Sequence, residues 1–193
     1  MSLRDRKKIE TKSNIFETAG RLFKEKGYDN TTVDEITKEA GIGKGTFFNY
    51  FPTKEALLQD FIKQKEELVF DLVKDQLTRN IPTKEKIKNI LVLVAKSNEK
   101  DRELTKLFVF EHLKHYGHEE RRSTSLNHLI QVIFEKSAKT EEFKIDIDLK
   151  MAAGNIAAIY FYSLMEWLWS KSDYSLSEDI SKKIDMMFIG IAR

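Results

Sequence analysis

Residues 31–57 read Thr31-Thr32-Val33-Asp34-Glu35-Ile36-Thr37-Lys38-Glu39-Ala40-Gly41-Ile42-Gly43-Lys44-Gly45-Thr46-Phe47-Phe48-Asn49-Tyr50-Phe51-Pro52-Thr53-Lys54-Glu55-Ala56-Leu57. Thr32 and Glu35 stand three apart, the spacing of a capping box in which the hydroxyl accepts from the Glu35 amide and the carboxylate reaches back. Val33, Ile36 and Ala40 then share one face of a two-turn helix that Gly41 ends. Gly43 occupies the N-cap position of a very short helix, Lys44 to Tyr50, which Pro52 closes. Two short helices around Gly41-Ile42-Gly43 form a helix-turn-helix candidate at about 32–51. Phe47 and Phe51, one turn apart, point inward with Val33, Ile36 and Ala40.

The outward set is Lys44, Thr46, Phe48, Asn49 and Tyr50, which suits a helix lying in the DNA major groove. Lysine can meet phosphate or guanine, asparagine can pair bidentately with adenine, and an exposed phenylalanine can touch a thymine methyl. Gly45 removes a side chain where backbone amides could approach a phosphate. Two nucleotide-loop readings of the glycines fail on spacing. A phosphate loop around Gly43-Lys44 needs glycine at 38 and Ser or Thr at 45, where Lys38 and Gly45 stand. A dinucleotide fingerprint from Gly41 needs glycine at 46, which is Thr46.

Outward from this stretch, helical periodicity continues. Ile15, Phe16, Ala19, Leu22 and Phe23 define a first helix stopped by Gly27. Leu57, Leu58, Phe61, Ile62, Leu68, Val69, Leu72, Val73 and Leu77 run unbroken to Pro82, one long helix of roughly seven turns. Further helices follow on Ile87/Ile90/Leu91/Val94, on Leu104/Leu107/Phe108 up to Gly117, and on Leu126/Leu129/Ile130/Ile133/Phe134. Lys144 to Leu149 alternates and reads as an extended connector, too short for a sheet of its own. Ala152 to Trp169 is apolar on almost all sides. Asn155, Ser163 and Glu166, with no second such segment, argue for a helix buried all round in a core or against a partner, not a membrane span. Ser175 and Glu178 form another capping box ahead of Ile180, Ile184, Met187, Phe188 and Ile191. The expectation is an all-α protein of about nine helices.

The composition is 41% hydrophobic and 33% charged, with no cysteine. That excludes disulfide scaffolds and cysteine-based catalysis or metal sites, and fits a reducing cytoplasm. No apolar run follows the basic start, so no secretory signal is expected. The net charge of +2 is unevenly placed. Residues 1–54 carry eleven basic against eight acidic side chains, and residues 1–8 alone carry four (Arg4, Arg6, Lys7, Lys8) against one. The surplus is read as an N-terminal basic arm, which on charge alone fits an anionic partner and a solvated, frayed terminus equally well.

The runs Ile15 to Tyr28, Thr31 to Ile36 and Gly41 to Leu57 closely resemble the DNA-binding domain of TetR-family transcriptional regulators, over about 50 residues. The resemblance implies a larger, divergent helical domain behind the helix-turn-helix, homodimerisation through the last two helices (about 148–170 and 176–192), and repression relieved by a small molecule. It places the DNA-binding domain at 8–68 and the ligand-binding and dimerisation domain at 69–193. It also assigns phosphate contacts to Thr32, Lys44, Tyr50 and Lys54, and base or adjoining backbone contacts to Thr46, Phe48 and Asn49. Three positions depart from the commonest pattern. Gly43 replaces a serine cap, Phe48 replaces a tyrosine and so loses a hydroxyl for phosphate, and Asn49 fills a variable reading position.

Aromatic residues of the second domain, Phe108, Phe134, Tyr160 and Trp167 with His112 and Tyr116, are the candidate ligand pocket, for an apolar or aromatic effector. Each ring alone reads more readily as core or dimer interface. His112, His115 and His118 beside Glu111 and Glu119 are the one metal-like cluster. Gly117 breaking the helix before His118 favours an ordinary polar helix end, and no metal or other cofactor is assigned. No activated nucleophile or acid–base pair is present, so no enzyme is expected. The resemblance thus implies a homodimeric DNA-binding repressor, released from a palindromic operator by a small-molecule ligand. The alternative is an all-α ligand-binding or interaction protein without operator binding.

Overall fold

A computed structural model describes residues 2–114, 126–137, 143 and 147–191 of the 193. Among these residues the architecture is nine helices: α1 (Leu3–Lys26), α2 (Val33–Glu39), α3 (Lys44–Tyr50), α4 (Lys54–Thr78), α5 (Thr83–Glu99), α6 (Arg102–Lys114), α7 (Leu126–Ser137), α8 (Leu149–Trp169) and α9 (Leu176–Ile191). The punctuation lies where the sequence puts it. Gly27 and Gly41 have φ of 80° and 66°, a left-handed conformation that glycine adopts without a Cβ penalty. At Gly41 the Ile42 amide donates to the Thr37 carbonyl at 3.0 Å and the Gly41 amide to Lys38 at 3.3 Å, a Schellman ending for α2.

One expectation is corrected at the N-terminus. Residues 3–8 are not a loose arm but the first turns of α1, opened by a capping box in which the Ser2 hydroxyl accepts from the Asp5 amide and Asp5 takes the Ser2 amide. Asp5 also offsets the unfavourable placement of Arg4, Arg6, Lys7 and Lys8 at the positive end of the helix dipole. The buried face of α1 begins only at Ile15, so its first three turns stand clear of the core.

Two apolar cores share α4. The smaller holds Ile15, Phe16, Ala19, Leu22 and Phe23 of α1 with Ile36, Phe47, Phe51 and Leu57. The larger runs from Val73 of α4 through α5, α7, α8 and α9 and includes Ile90, Phe134, Ile156, Trp167, Ile180 and Phe188. Helix α8 is buried by its own chain along one face. It is buried along Ala152, Ala153, Ile156, Tyr160, Ser163, Leu164, Trp167 and Leu168, but its other face leaves Tyr162 65% exposed, with Met151, Phe161 and Trp169 also open. Of the expected connector at 144–149, Lys144 to Asp146 lie outside the described residues. Ile147 and Asp148 precede α8, and the Asp148 carboxylate accepts from the Lys150 and Met151 amides.

The ends of α5 and α6 carry long-range polar contacts. The Glu99 carboxylate accepts from the Ser177 amide at 2.8 Å and the Ser175 hydroxyl at 3.0 Å, so α9 is capped from α5. Ser175 still accepts from the Glu178 amide at 3.2 Å, as the expected box requires. Arg102 donates to the Ser170 carbonyl at 2.6 Å and to that of Trp167, holding the carbonyl end of α8. Asp101 pairs with Lys24 of α1 at 3.4 Å and caps the Leu104 amide. Lys65 of α4 donates to the Thr105 hydroxyl at 3.4 Å, and burial pushes its ammonium down to about 8.

Candidate nucleic-acid interface

Helix α3 is held from behind by aromatic packing. Phe47 is fully buried, with its ring centroid 5.9 Å from Phe51, and Phe51 meets Phe16 of α1 edge-on at 5.5 Å. The turn is tied to α1 by Asn14, whose side-chain amide donates to the Ala40 carbonyl at 2.8 Å. With those contacts made, Lys44, Gly45, Phe48 and Asn49 are exposed, and Thr46 and Tyr50 half-buried. Phe48 is 49% exposed, its ring resting perpendicular to Phe47 at 5.5 Å. Its other half is left open to solvent, more than contact with Phe47 alone requires. A Cβ at Gly43 or Gly45 would meet no neighbour within 4 Å, so the protein's own packing does not require glycine at either position.

The surrounding charges are paired within the protein. Lys44 bonds Asp34 at 2.7 Å, with side chains 58% and 67% exposed. Pairs this open contribute only about 0–1 kcal/mol. Thr32 performs its capping role fully: its hydroxyl accepts from the Glu35 amide at 3.2 Å while its own amide donates to Glu35 at 2.9 Å. Lys26 also donates to Glu35 at 2.9 Å, and that bond, with those from Thr32, holds the carboxyl down to about 2. Arg21 joins Glu25 at 3.3 Å and Glu39 on α2.

Lys54 is placed differently from the other assigned residues. Its ammonium donates to the Tyr28 carbonyl at 2.7 Å and the Thr31 carbonyl at 2.8 Å, and lies 4.1 Å from the Tyr28 ring centroid. Two of its three protons therefore fix the loop between α1 and α2, leaving one for a phosphate. Sequence reasoning missed this structural duty, and missed Asn14, because both contacts span 26 residues and leave no local pattern.

Phe134, Tyr160 and Trp167 of the candidate pocket share the larger core. Phe134 is fully buried and stacks with Phe188 at 6.3 Å. The Tyr160 hydroxyl accepts from Asn98 at 2.9 Å, and burial raises its pKa. The Trp167 indole donates to the Tyr174 carbonyl at 3.1 Å under the Arg102 guanidinium. Phe108 lies 6.0 Å from Phe61 of α4. The side chain of His112, and all of Tyr116, lie outside the described residues. So do His115, His118 and Glu119 and the Glu111 side chain, the metal-like cluster. Among the described residues no group of three or more His, Cys, Asp or Glu could hold a metal ion. An open groove of about 630 Å³ lies elsewhere, between Phe16, Gly20 and Lys24 of α1, Phe61 of α4 and Leu104 of α6.

A three-helix unit presenting a short exposed helix, joined through α4 to a larger helical body, defines a class of DNA-binding regulator. Residues 15–61 match the family model for bacterial regulatory proteins of the tetR family, and residues 64–190 the model for the C-terminal domain of TetR/AcrR family transcriptional repressors. The chain belongs to the TetR family of transcriptional regulators. It is 34% identical to the Bacillus subtilis regulator PksA over 100 residues, 51% of this chain and 49% of PksA. Identity to YuxN of the same organism is 50% over 56 residues, 29% of this chain and 19% of YuxN. The matches thus span half or less of these curated relatives. Over the whole fold it is similar to Thermus thermophilus FadR, a TetR-family repressor solved with lauroyl-CoA. The TM-score is 0.65 at 26% identity, covering 93% of this chain and 94% of that one.

Proposed function

We propose that the chain is a homodimeric repressor that reads a palindromic operator through Lys44, Gly45, Thr46, Phe48, Asn49 and Tyr50, with Thr32 and Lys54 against the backbone, and is released by an apolar effector. The observation that carries this reading is the exposed face of α3, where Phe48, Asn49 and Lys44 stand open in front of a complete core. Two such helices related by a two-fold axis would enter successive major grooves about 34 Å apart. The basic first turns of α1 would add sequence-independent affinity. The unpartnered apolar faces of α8 and α9, with Tyr162 65%, Met186 71% and Ile189 79% exposed, support pairing through residues about 148–170 and 176–192. The division between DNA-binding residues 8–68 and effector-binding residues 69–193 falls inside α4, which both cores share.

For the effector, the lauroyl-CoA complex of Thermus FadR makes an acyl thioester the first class to test. Phe108, His112, Tyr116, Phe134, Tyr160 and Trp167 remain the proposed pocket. Phe134, Tyr160 and Trp167 are buried here, so an effector must prefer an arrangement in which they part.

The test is a gel shift on DNA flanking the gene, repeated across salt concentrations. Lys44→Ala and Tyr50→Ala should each abolish the shift, and deleting residues 1–8 should weaken it and flatten its salt dependence. Asp34→Asn should tighten binding several-fold, because it frees the Lys44 ammonium and removes an anion near the phosphates. No shift under any condition, or no loss in the two alanine variants, would refute the reading.

A further inference from the structure

The groove bordered by α1, α4 and the start of α6 belongs neither to the proposed DNA-reading face nor to the candidate pocket of the second domain. Its volume of about 630 Å³ lies within the range of small-molecule sites. Its apolar lining is Phe16 and Phe61, with ring centroids 4.2 Å apart, together with Leu104 and Ile9.

Gly20 keeps the groove open. Glycine is disfavoured inside a helix, and Gly20 lies well within α1 with no left-handed turn to make. A Cβ there would stand 3.7 Å from the Phe61 ring, an ordinary contact, so packing does not exclude a larger residue. What a side chain at this position would take is the space of the groove itself.

The charges around the groove select its occupant. Lys12 is paired with Asp60 at 2.6 Å, Arg21 with Glu25 at 3.3 Å and with Glu39, and Lys24 with Asp101 at 3.4 Å. Each cation of the lining therefore already has a carboxylate. Glu17 has no such counterpart: its carboxylate accepts from the Ser13 hydroxyl at 3.2 Å, and no cation pairs with it among the described residues. Five carboxylates thus line or flank the groove against four cations, even when Lys65, whose ammonium donates to Thr105, is included. An entering anion would compete with carboxylates already in place. A cation instead meets one unneutralised carboxylate beside two phenylalanine rings, whose faces attract positive charge.

We propose that this groove binds a lipophilic organic cation, its apolar body against Phe16, Phe61 and Leu104 and its charge toward Glu17. The site is separate from the effector pocket proposed above, and its occupancy does not depend on operator binding.

Tetraphenylphosphonium and tetraphenylborate share a shape and differ in the sign of their charge, so the pair separates charge recognition from apolar binding. Binding of each to the full-length protein is measured by titration calorimetry without DNA. The phosphonium should bind about tenfold more tightly than the borate, and Glu17→Gln should remove about that factor. Glu17→Lys, at an exposed position, should reverse the preference between the two ions. Gly20→Leu should abolish binding of both by filling the groove, and Gly20→Ala should weaken it less. Circular dichroism checks that each variant is folded; the two Glu17 variants decide the outcome if Gly20→Leu is not. No phosphonium binding, equal affinity for the two ions, or phosphonium binding untouched by Glu17→Gln and Gly20→Leu overturns the proposal. Loss of operator binding would count against the repressor reading and leave these titrations unaffected.

Discussion

The two cores are built from different kinds of information. In the smaller one, the two helices of the helix-turn-helix are short and their limits are set by local chemistry: the Thr32 and Glu35 box, the left-handed Gly41, and Phe47 and Phe51 one turn apart. Because so few side chains are needed inside, those pointing out are conspicuous. In the larger core, long helices bury Leu, Ile and aromatic side chains along continuous faces, and the contacts that orient them come from distant residues such as Glu99 and Arg102. The first core advertises what its surface is for, and the second advertises only that it packs.

The sharpest way to break this division is Phe47→Ala, which should destabilise the helix-turn-helix by about 3–5 kcal/mol. Both tryptophans, Trp167 and Trp169, lie at the end of α8, so their fluorescence follows the larger core alone while circular dichroism follows all helices. In denaturant, Phe47→Ala should give an early dichroism phase with an unchanged fluorescence midpoint. Coincident shifts would mean that α4 makes the two cores one cooperative unit. Glu99→Ala is the mirror experiment. It strands Ser175 and Ser177 at the start of α9 and should cost roughly 1–3 kcal/mol, moving fluorescence first. Thr32→Ala should cost about 1 kcal/mol and appear only in the early dichroism phase.

The smallest effect is acid sensitivity of the helix-turn-helix. Glu35 is held at about 2, below its ordinary 4.5, so the folded form binds its proton less readily than the unfolded chain. The stabilisation is complete above 4.5 and is lost as pH falls toward 2. Its carboxylate is exposed, and salt screens much of it. Thermal melts from pH 6 down to 2.5 should show Glu35→Gln less pH-dependent than the parent, and a parallel decline in both would dismiss the effect.

Much of the smaller core could be read from the chain because helix caps and glycine stops act within four residues. The same spacing stands at Ser2-Leu3-Arg4-Asp5, and reading it would have started α1 there in place of a loose arm. The resemblance marked Lys54 as a candidate phosphate contact but not as the tie between two loop carbonyls, which only folding brings within reach. In α8, apolar residues all round cannot separate burial by the chain itself from burial by another molecule, and the second face of that helix lies open. For the candidate pocket, a ring that lines a cavity and a ring that fills a core obey the same helical period.

The Asp34–Lys44 pair bears on how a regulator spends its time on a chromosome. Wrong sites outnumber the right one by many orders of magnitude, and they hold the protein by phosphate attraction alone. A lysine already satisfied by its own aspartate gains little from a random phosphate, so each mistaken stop is brief. On the proposed reading, contacts by Asn49 and Phe48 at the operator would accompany the exchange of partners. If Lys44 meets phosphate as proposed, the pair would trade affinity everywhere for speed of search, and Asp34→Asn would bind more tightly and arrive more slowly.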